Sequence, residues 1–246
     1  MKNIYFLSGL PRAGNTLFGY LLNQNNDITV TANSILPSIL YSLYKLKFEE
    51  NYLNFPDKKS FDNIYINVLN NYFKDWKSNN IISRGPWGTE ANLFLLKNII
   101  KKPKFIILYR PIHECINSFI SINKIKKENI NSYSTELMSL NGPIGKSLLS
   151  IKNILKKKED YLVIHYKELI KNPEKEIKKV FKYLDIKYEK LNFNVKKQFQ
   201  ANDIKYDDSI FEQPIHEIRL GKVKMSKTKN YLSKFLIQKC KNEDLF

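Results

Sequence analysis

The chain has 246 residues, 43% of them apolar, and a formal net charge of +17. That length and apolar content predict one α/β domain with a core of its own, covering residues 1–246. No run approaches the roughly 20 apolar residues of a membrane span, and Cys115 and Cys240 are too few for a disulfide framework. A leader is not expected before a strand that starts this early, so the expected setting is soluble, reducing and cytoplasmic. His113, His165 and His216 lie far apart and have no metal-ligand spacing, so no metal site is expected.

The positive charge has two readings. One is attraction to an anionic ligand or partner. The other is composition, because the chain is crowded with Lys, Asn, Ile and Tyr, and most of its lysines read as solvated. The run Lys156–Lys158 ends a helical pattern, where cations suit the helix dipole. The arginines Arg12, Arg84, Arg110 and Arg219 are more informative, since the planar guanidinium suits bidentate recognition of oxyanions.

In chain order, residues 3–8 predict a buried strand that ends in the turn Gly9–Gly14. Helix follows over residues 16–25, a short strand over 28–31, and helix over 34–47 with Pro37 in its first turn. Residues 61–76 carry apolar side chains at helical spacing (Phe61, Tyr65, Leu69, Phe73), with Ser60 as the expected N-cap. Residues 81–83 read as a strand leading to Arg84-Gly85-Pro86-Trp87, and 90–101 as a helix. The apolar strand 105–109 ends at Arg110, and Pro111 opens a helix that buries Ile112, Cys115, Ile116, Phe119 and Ile122. A helix over 144–157, a strand over 161–165 and a helix opened by Asn172-Pro173 follow. The tail after Lys187 reads as irregular and basic, with a short helix near 231–239. Strands alternating with helices predict a mainly parallel central sheet with helices on both faces, a three-layer fold like that of P-loop NTPases. In such folds ligands bind at the C-terminal ends of strands, so Arg12, Arg84 and Arg110 are expected to converge on one crevice.

The stretch Gly9 to Thr16 (Gly-Leu-Pro-Arg-Ala-Gly-Asn-Thr) has the spacing of a nucleotide P-loop. Strand, glycine turn and helix start present unpaired N–H groups to an oxyanion. Asn15 stands where such a loop carries its lysine, so the cradle lacks the usual point charge and Arg12 is the local cation.

On these residues the chain resembles the PAPS-dependent sulfotransferases (PAPS is 3′-phosphoadenosine 5′-phosphosulfate). Gly9 to Thr16 is similar to that family's 5′-phosphosulfate loop, in the manner of its bacterial and tyrosylprotein-type branch. Leu108 to Ser118 is similar to its 3′-phosphate site, in which an arginine follows a strand and a serine lies eight residues on, here Arg110 and Ser118. Ile164 to Leu169, leading to Asn172-Pro173, resembles a segment that would set Tyr166 beside the adenine. Val223 to Lys227 resembles a tail contact through Ser226 and Lys227. There are departures. Ala13 replaces a serine of that branch, and Ile122 stands where a second arginine is expected, a charge that Lys124 or a tail lysine would have to supply. The Lys-x-x-Gly tail signature of the animal cytosolic members is not evident.

The resemblance implies in-line transfer of a sulfuryl group, without metal, from PAPS to an acceptor hydroxyl or amine, leaving 3′,5′-ADP. It implies cofactor binding by Arg12, Ala13, Gly14, Asn15, Thr16, Arg110, Ser118, Tyr166, Ser226 and Lys227. Arg12 and Thr16 would face the charge that grows on the leaving oxygen, and Arg84 the transferring oxygens. His216 is the candidate base, with Glu90 and Glu217 ranked behind it. Trp87 and the aromatic-rich segment 41–55 are read as shaping an acceptor pocket or as plain packing. The acceptor class stays open among small molecules, sugars and peptides. Two alternatives remain. A P-loop kinase is disfavoured by Asn15 and by the lack of acidic residues near the loop. A basic nucleic-acid-binding module lacks a reading motif, and no nucleic-acid partner is expected.

Overall fold

The computed structural model describes residues 2–211, 213–225 and 229–246. The sequence runs β1 (Asn3–Leu7), α1 (Asn15–Leu22), β2 (Ile28–Asn33), α2 (Leu36–Lys45), α3 (Glu50–Asn54), α4 (Lys58–Tyr72), β3 (Asn80–Arg84), α5 (Glu90–Ile99), β4 (Lys104–Tyr109) and α6 (Ile112–Ile122). It continues through α7 (Ile130–Met138), α8 (Pro143–Lys156), β5 (Asp160–His165), α9 (Tyr166–Lys171) and α10 (Pro173–Leu184). The tail holds the two-residue strands β6 (Asn194–Val195), β7 (Gln200–Ala201), β8 (Ile204–Lys205) and β9 (Gly221–Lys222), then α11 (Lys234–Glu243). Among the described residues no helix is long and apolar enough to cross a membrane.

The first five strands form one parallel sheet in the order β2-β3-β1-β4-β5. With helices on both faces, this is the P-loop-like α/β fold that the alternation predicts. The strand residues show why the sheet sits inside. Phe6, Leu7, Ile81, Ile82 and Phe105 to Leu108 are all fully buried, as expected of strands covered on two sides. Trp87 is fully buried as well. It donates from Nε1 to the Ser83 carbonyl and packs edge-on against Phe6. It is therefore a core residue and does not shape an acceptor pocket.

Some local expectations are corrected. Asp57, not Ser60, caps α4, because its carboxylate accepts from the Ser60 N–H. Ser60 lies in the first turn as the donor. The short helices α3, α7 and α9 are not predicted from the sequence. The aromatic-rich segment 41–55 lies on the periphery, where Phe48 and Phe55 are exposed. Cys115 is fully buried, and desolvation pushes its thiol up to about 12, so it is an inert core thiol.

Two long-range ties position the site. The carboxylate of Asp244, at the end of α11, accepts from the Tyr109 hydroxyl (2.5 Å) and from the Ile112 N–H (2.9 Å). The C-terminal segment thereby clamps the end of β4 and caps α6, with Arg110 held between them. The turn after β3 is fixed by a close approach, in which the Gly88 N–H donates to Ser150 Oγ of α8 (2.7 Å). A Cβ on Gly88 would fall 1.9 Å from the Ser150 carbonyl oxygen. Backbone meets backbone there, so neither side can yield cheaply. Gly88→Ala is expected to destabilise the protein by about 1–3 kcal/mol, the range for overpacking a core. The measurement is urea unfolding, with a lowered midpoint at unchanged slope.

Candidate active site at the C-terminal edge of the sheet

A cavity of about 720 Å³ opens over the C-terminal ends of β1, β3, β4 and β5. Arg12, Gly14, Asn15, Thr16, Arg84, Arg110, Ser118, Tyr166 and His216 all line it. Arg12, Arg84 and Arg110, which are far apart in sequence, thus meet in one crevice.

The loop after β1 has an unusual backbone. Arg12 (φ 64°) and Gly14 (φ 87°) are both in the left-handed region. Gly14 is the N-cap of α1 and no side chain caps that helix, so its first N–H groups are open donors beside the cavity. The Arg12 conformation is strained for a residue with a side chain, and Arg110 holds it, donating from Nη1 to the Arg12 carbonyl (3.1 Å). Asn15 does not reach outward. Its Nδ2 donates to the Leu10 carbonyl (2.7 Å), and its Oδ1 is buried against Gly9 with no hydrogen-bond partner. The asparagine therefore fixes the shape of the loop from within. Ala13 also departs from expectation. Its methyl group is fully buried, its N–H is bonded to the Leu10 carbonyl, and it is not among the residues lining the cavity.

The guanidinium of Arg12, expected at the leaving oxygen, turns toward α6 and the tail. It donates from Nε to Ser118 Oγ (3.2 Å) and from Nη1 to the Ile215 carbonyl. Desolvation lowers its pKa, and the neighbouring Arg110 lowers it further, although a guanidinium stays charged in proteins. Arg110 is only 5% exposed. It donates from Nε to Glu114 (2.9 Å), and its guanidinium lies over the Tyr166 ring, 4.5 Å from the centroid. Tyr166 in turn packs on Gly14, where a Cβ would come 2.8 Å from its ring. Arg12, Arg110, Ser118 and Tyr166 thus form one cluster in which two cations share a desolvated space, with Glu114 paired to Arg110.

Arg84, at the end of β3, donates from Nη1 to the Tyr206 hydroxyl (2.9 Å), and burial lowers its pKa. The Tyr206 ring stacks flat on His216, with centroids 3.8 Å apart and planes within 1°. His216 Nδ1 lies 2.5 Å from Asp208 Oδ1, and the His216 N–H donates to Asp208 Oδ2 (2.9 Å). Sequence reasoning named His216 but missed Asp208 and Tyr206, which no motif or spacing marks. Arg219, Lys222 and Lys224 from the tail also line the cavity, whereas Lys124 does not. Glu217 lines it too, while Glu90 begins α5 away from it. Ser226 and Lys227 lie outside the described residues.

A five-stranded parallel sheet with a glycine-bearing loop after its first strand, and three arginines gathered at its C-terminal edge, is a P-loop-like α/β arrangement. Comparison with known families narrows this. Residues 4–242 match the sulfotransferase domain family, so the chain belongs to the sulfotransferases. Its fold is similar to that of the sulfotransferase domain of the Synechococcus PCC 7002 olefin synthase, with 15% identity over all of this chain and 97% of that one and a TM-score of 0.54. It is also similar to a sulfotransferase from Alicyclobacillus acidocaldarius, with 12% identity over 85% and 88% of the two chains and a TM-score of 0.50. No curated protein sequence matches significantly.

Gly14→Ala tests how the loop is built. It places a side chain at positive φ and drives it into Tyr166, and is expected to cost about 1–3 kcal/mol. The additional variant Tyr166→Ala should return part of that loss by removing the clash. Denaturant unfolding of both reads the difference.

Proposed function

We propose that this chain is one sulfotransferase domain, spanning residues 1–246, that moves a sulfuryl group from PAPS to an acceptor by in-line displacement, leaving 3′,5′-ADP. The observation that carries the donor assignment is the Arg12–Arg110–Ser118 cluster. Two guanidiniums crowded in a desolvated space repel each other, and an anion between them relieves that cost. One anionic group there and a second at the open end of α1 suit a ligand charged at both ends of its ribose. The residues present fit PAPS in that way.

Arg110, Ser118 and Arg12 would hold the 3′-phosphate, with Arg219, Lys222 and Lys224 adding positive charge from the tail. Tyr166, held against Gly14 and Arg110, would lie beside the adenine. The N–H groups opening α1 and the Thr16 hydroxyl would face the 5′-phosphate, where donors fixed before reaction stabilise developing charge. Bound there, PAPS supplies a sulfuryl group whose bond to the leaving oxygen breaks as the acceptor oxygen attacks. Arg84 presents a fixed cation to the transferring oxygens. The Asp208 carboxylate can only accept, so it keeps the proton of neutral His216 on Nδ1 and leaves Nε2 as the acceptor for the acceptor's proton.

Two measurements test these roles. In thermal-shift titrations, 3′,5′-ADP is expected to bind more tightly than AMP. Arg110→Ala should reduce that preference about 10- to 100-fold, the loss of a charged hydrogen bond. Equal loss for both nucleotides would reassign Arg110 to holding the loop alone. Separately, His216→Ala should lower kcat about 10²- to 10⁴-fold. Asp208→Asn should lower kcat with an unchanged KM for PAPS, and the double variant should be no slower than His216→Ala. Additive losses would show that the two residues act apart.

A further inference from the structure

The cavity does not end at Arg84. A smaller hollow of about 290 Å³ continues from it over the C-terminal ends of β1, β2 and β3, and Arg84 and Asn33 belong to both. Its walls come from the segments after those strands and from the first turns of α2 and α8. We infer that this hollow receives the acceptor and that the acceptor is a hydroxyl-rich molecule of the carbohydrate or polyol class, neutral or anionic. This rests on the sulfotransferase reading above and deepens it by naming a substrate class.

The chemistry of the walls argues for that class. Ser34, Ser38 and Ser147 supply hydroxyls, Asn33 an amide, and Arg84 and Lys146 positive charge. Hydroxyls and amides both donate and accept, as a ligand bearing several hydroxyls requires. Ser34 Oγ is buried and has no hydrogen-bond partner within the protein. Among the described residues the lining contains no aromatic ring and no carboxylate. A phenolic acceptor would find no ring to pack on. A cationic amine would meet Arg84 and Lys146 with no counter-charge, an unfavourable pairing in a partly desolvated space. The nearby Trp87 cannot serve as a platform, since it is fully buried and bonded to Ser83. A hydroxyl held here abuts Arg84, which also lines the larger cavity that His216 lines. In the transfer, the acceptor oxygen forms its bond to sulfur, the bond from sulfur to the 5′-phosphate oxygen breaks with its electron pair, and the hydroxyl proton passes to His216.

The test is ligand-observed NMR with glucose and glucuronate as hydroxyl-rich probes, 4-nitrophenol as the aryl probe and tyramine as the amine probe. Each is measured with and without saturating 3′,5′-ADP. Glucose or glucuronate is expected to bind at least tenfold more tightly than 4-nitrophenol and tyramine. Ser147→Phe in α8 and Ser38→Phe on the facing wall should each weaken that binding at least tenfold, with 3′,5′-ADP affinity held within twofold. Two different obstructing variants guard against one that fails to fold. Tighter binding of 4-nitrophenol or tyramine, or sugar binding untouched by both obstructions, would overturn the assignment. If 3′,5′-ADP does not bind, the donor reading fails, and the sugar titrations without nucleotide still decide what the hollow takes.

Discussion

Two like charges held together below the surface organise this site. Burial and the neighbouring Arg110 both weigh against the charge of Arg12, and Arg110 pairs with Glu114. Such an arrangement persists only when the surrounding structure over-determines it. Here the left-handed backbone of Arg12 is pinned by Arg110, Arg110 rests on Tyr166, and the segment bearing Arg110 is clamped by Asp244. The repulsion is built into the fold itself, and an anion placed between the two groups would relieve it.

The sheet order places the rest. With β1 in the centre, the turns after β4 and β5 serve one side of the cradle loop and those after β2 and β3 the other. The first side holds the guanidinium cluster and Tyr166. The second holds Arg84 and the serine-lined hollow. Arg84 stands at the boundary and lines both.

Much of this was legible in the sequence. The apolar strands ending in glycine or arginine marked both the sheet and the edge where chemistry collects, because a strand covered on two faces must be apolar throughout. Arg110, Ser118 and Tyr166 were readable from spacing together with family likeness. Other parts were not. The direction of the Arg12 side chain follows from a positive φ and from a carbonyl at Ile215, some two hundred positions away. The family likeness implies Ala13 as a cofactor contact, yet its methyl group turns into the core. Asp208 and Tyr206 lie in an irregular tail without periodicity, and only the folded chain brings them to His216 and Arg84. The Asp57 cap was passed over for Ser60, since both are good capping residues within one turn.

The contact between Gly14 and Tyr166 has a consequence for how such a chain can change over time. The missing side chain at one position is the space occupied by the ring at the other. Neither can be altered alone without loss, so a side chain at the turn calls for a smaller residue at the start of the helix after the fifth strand.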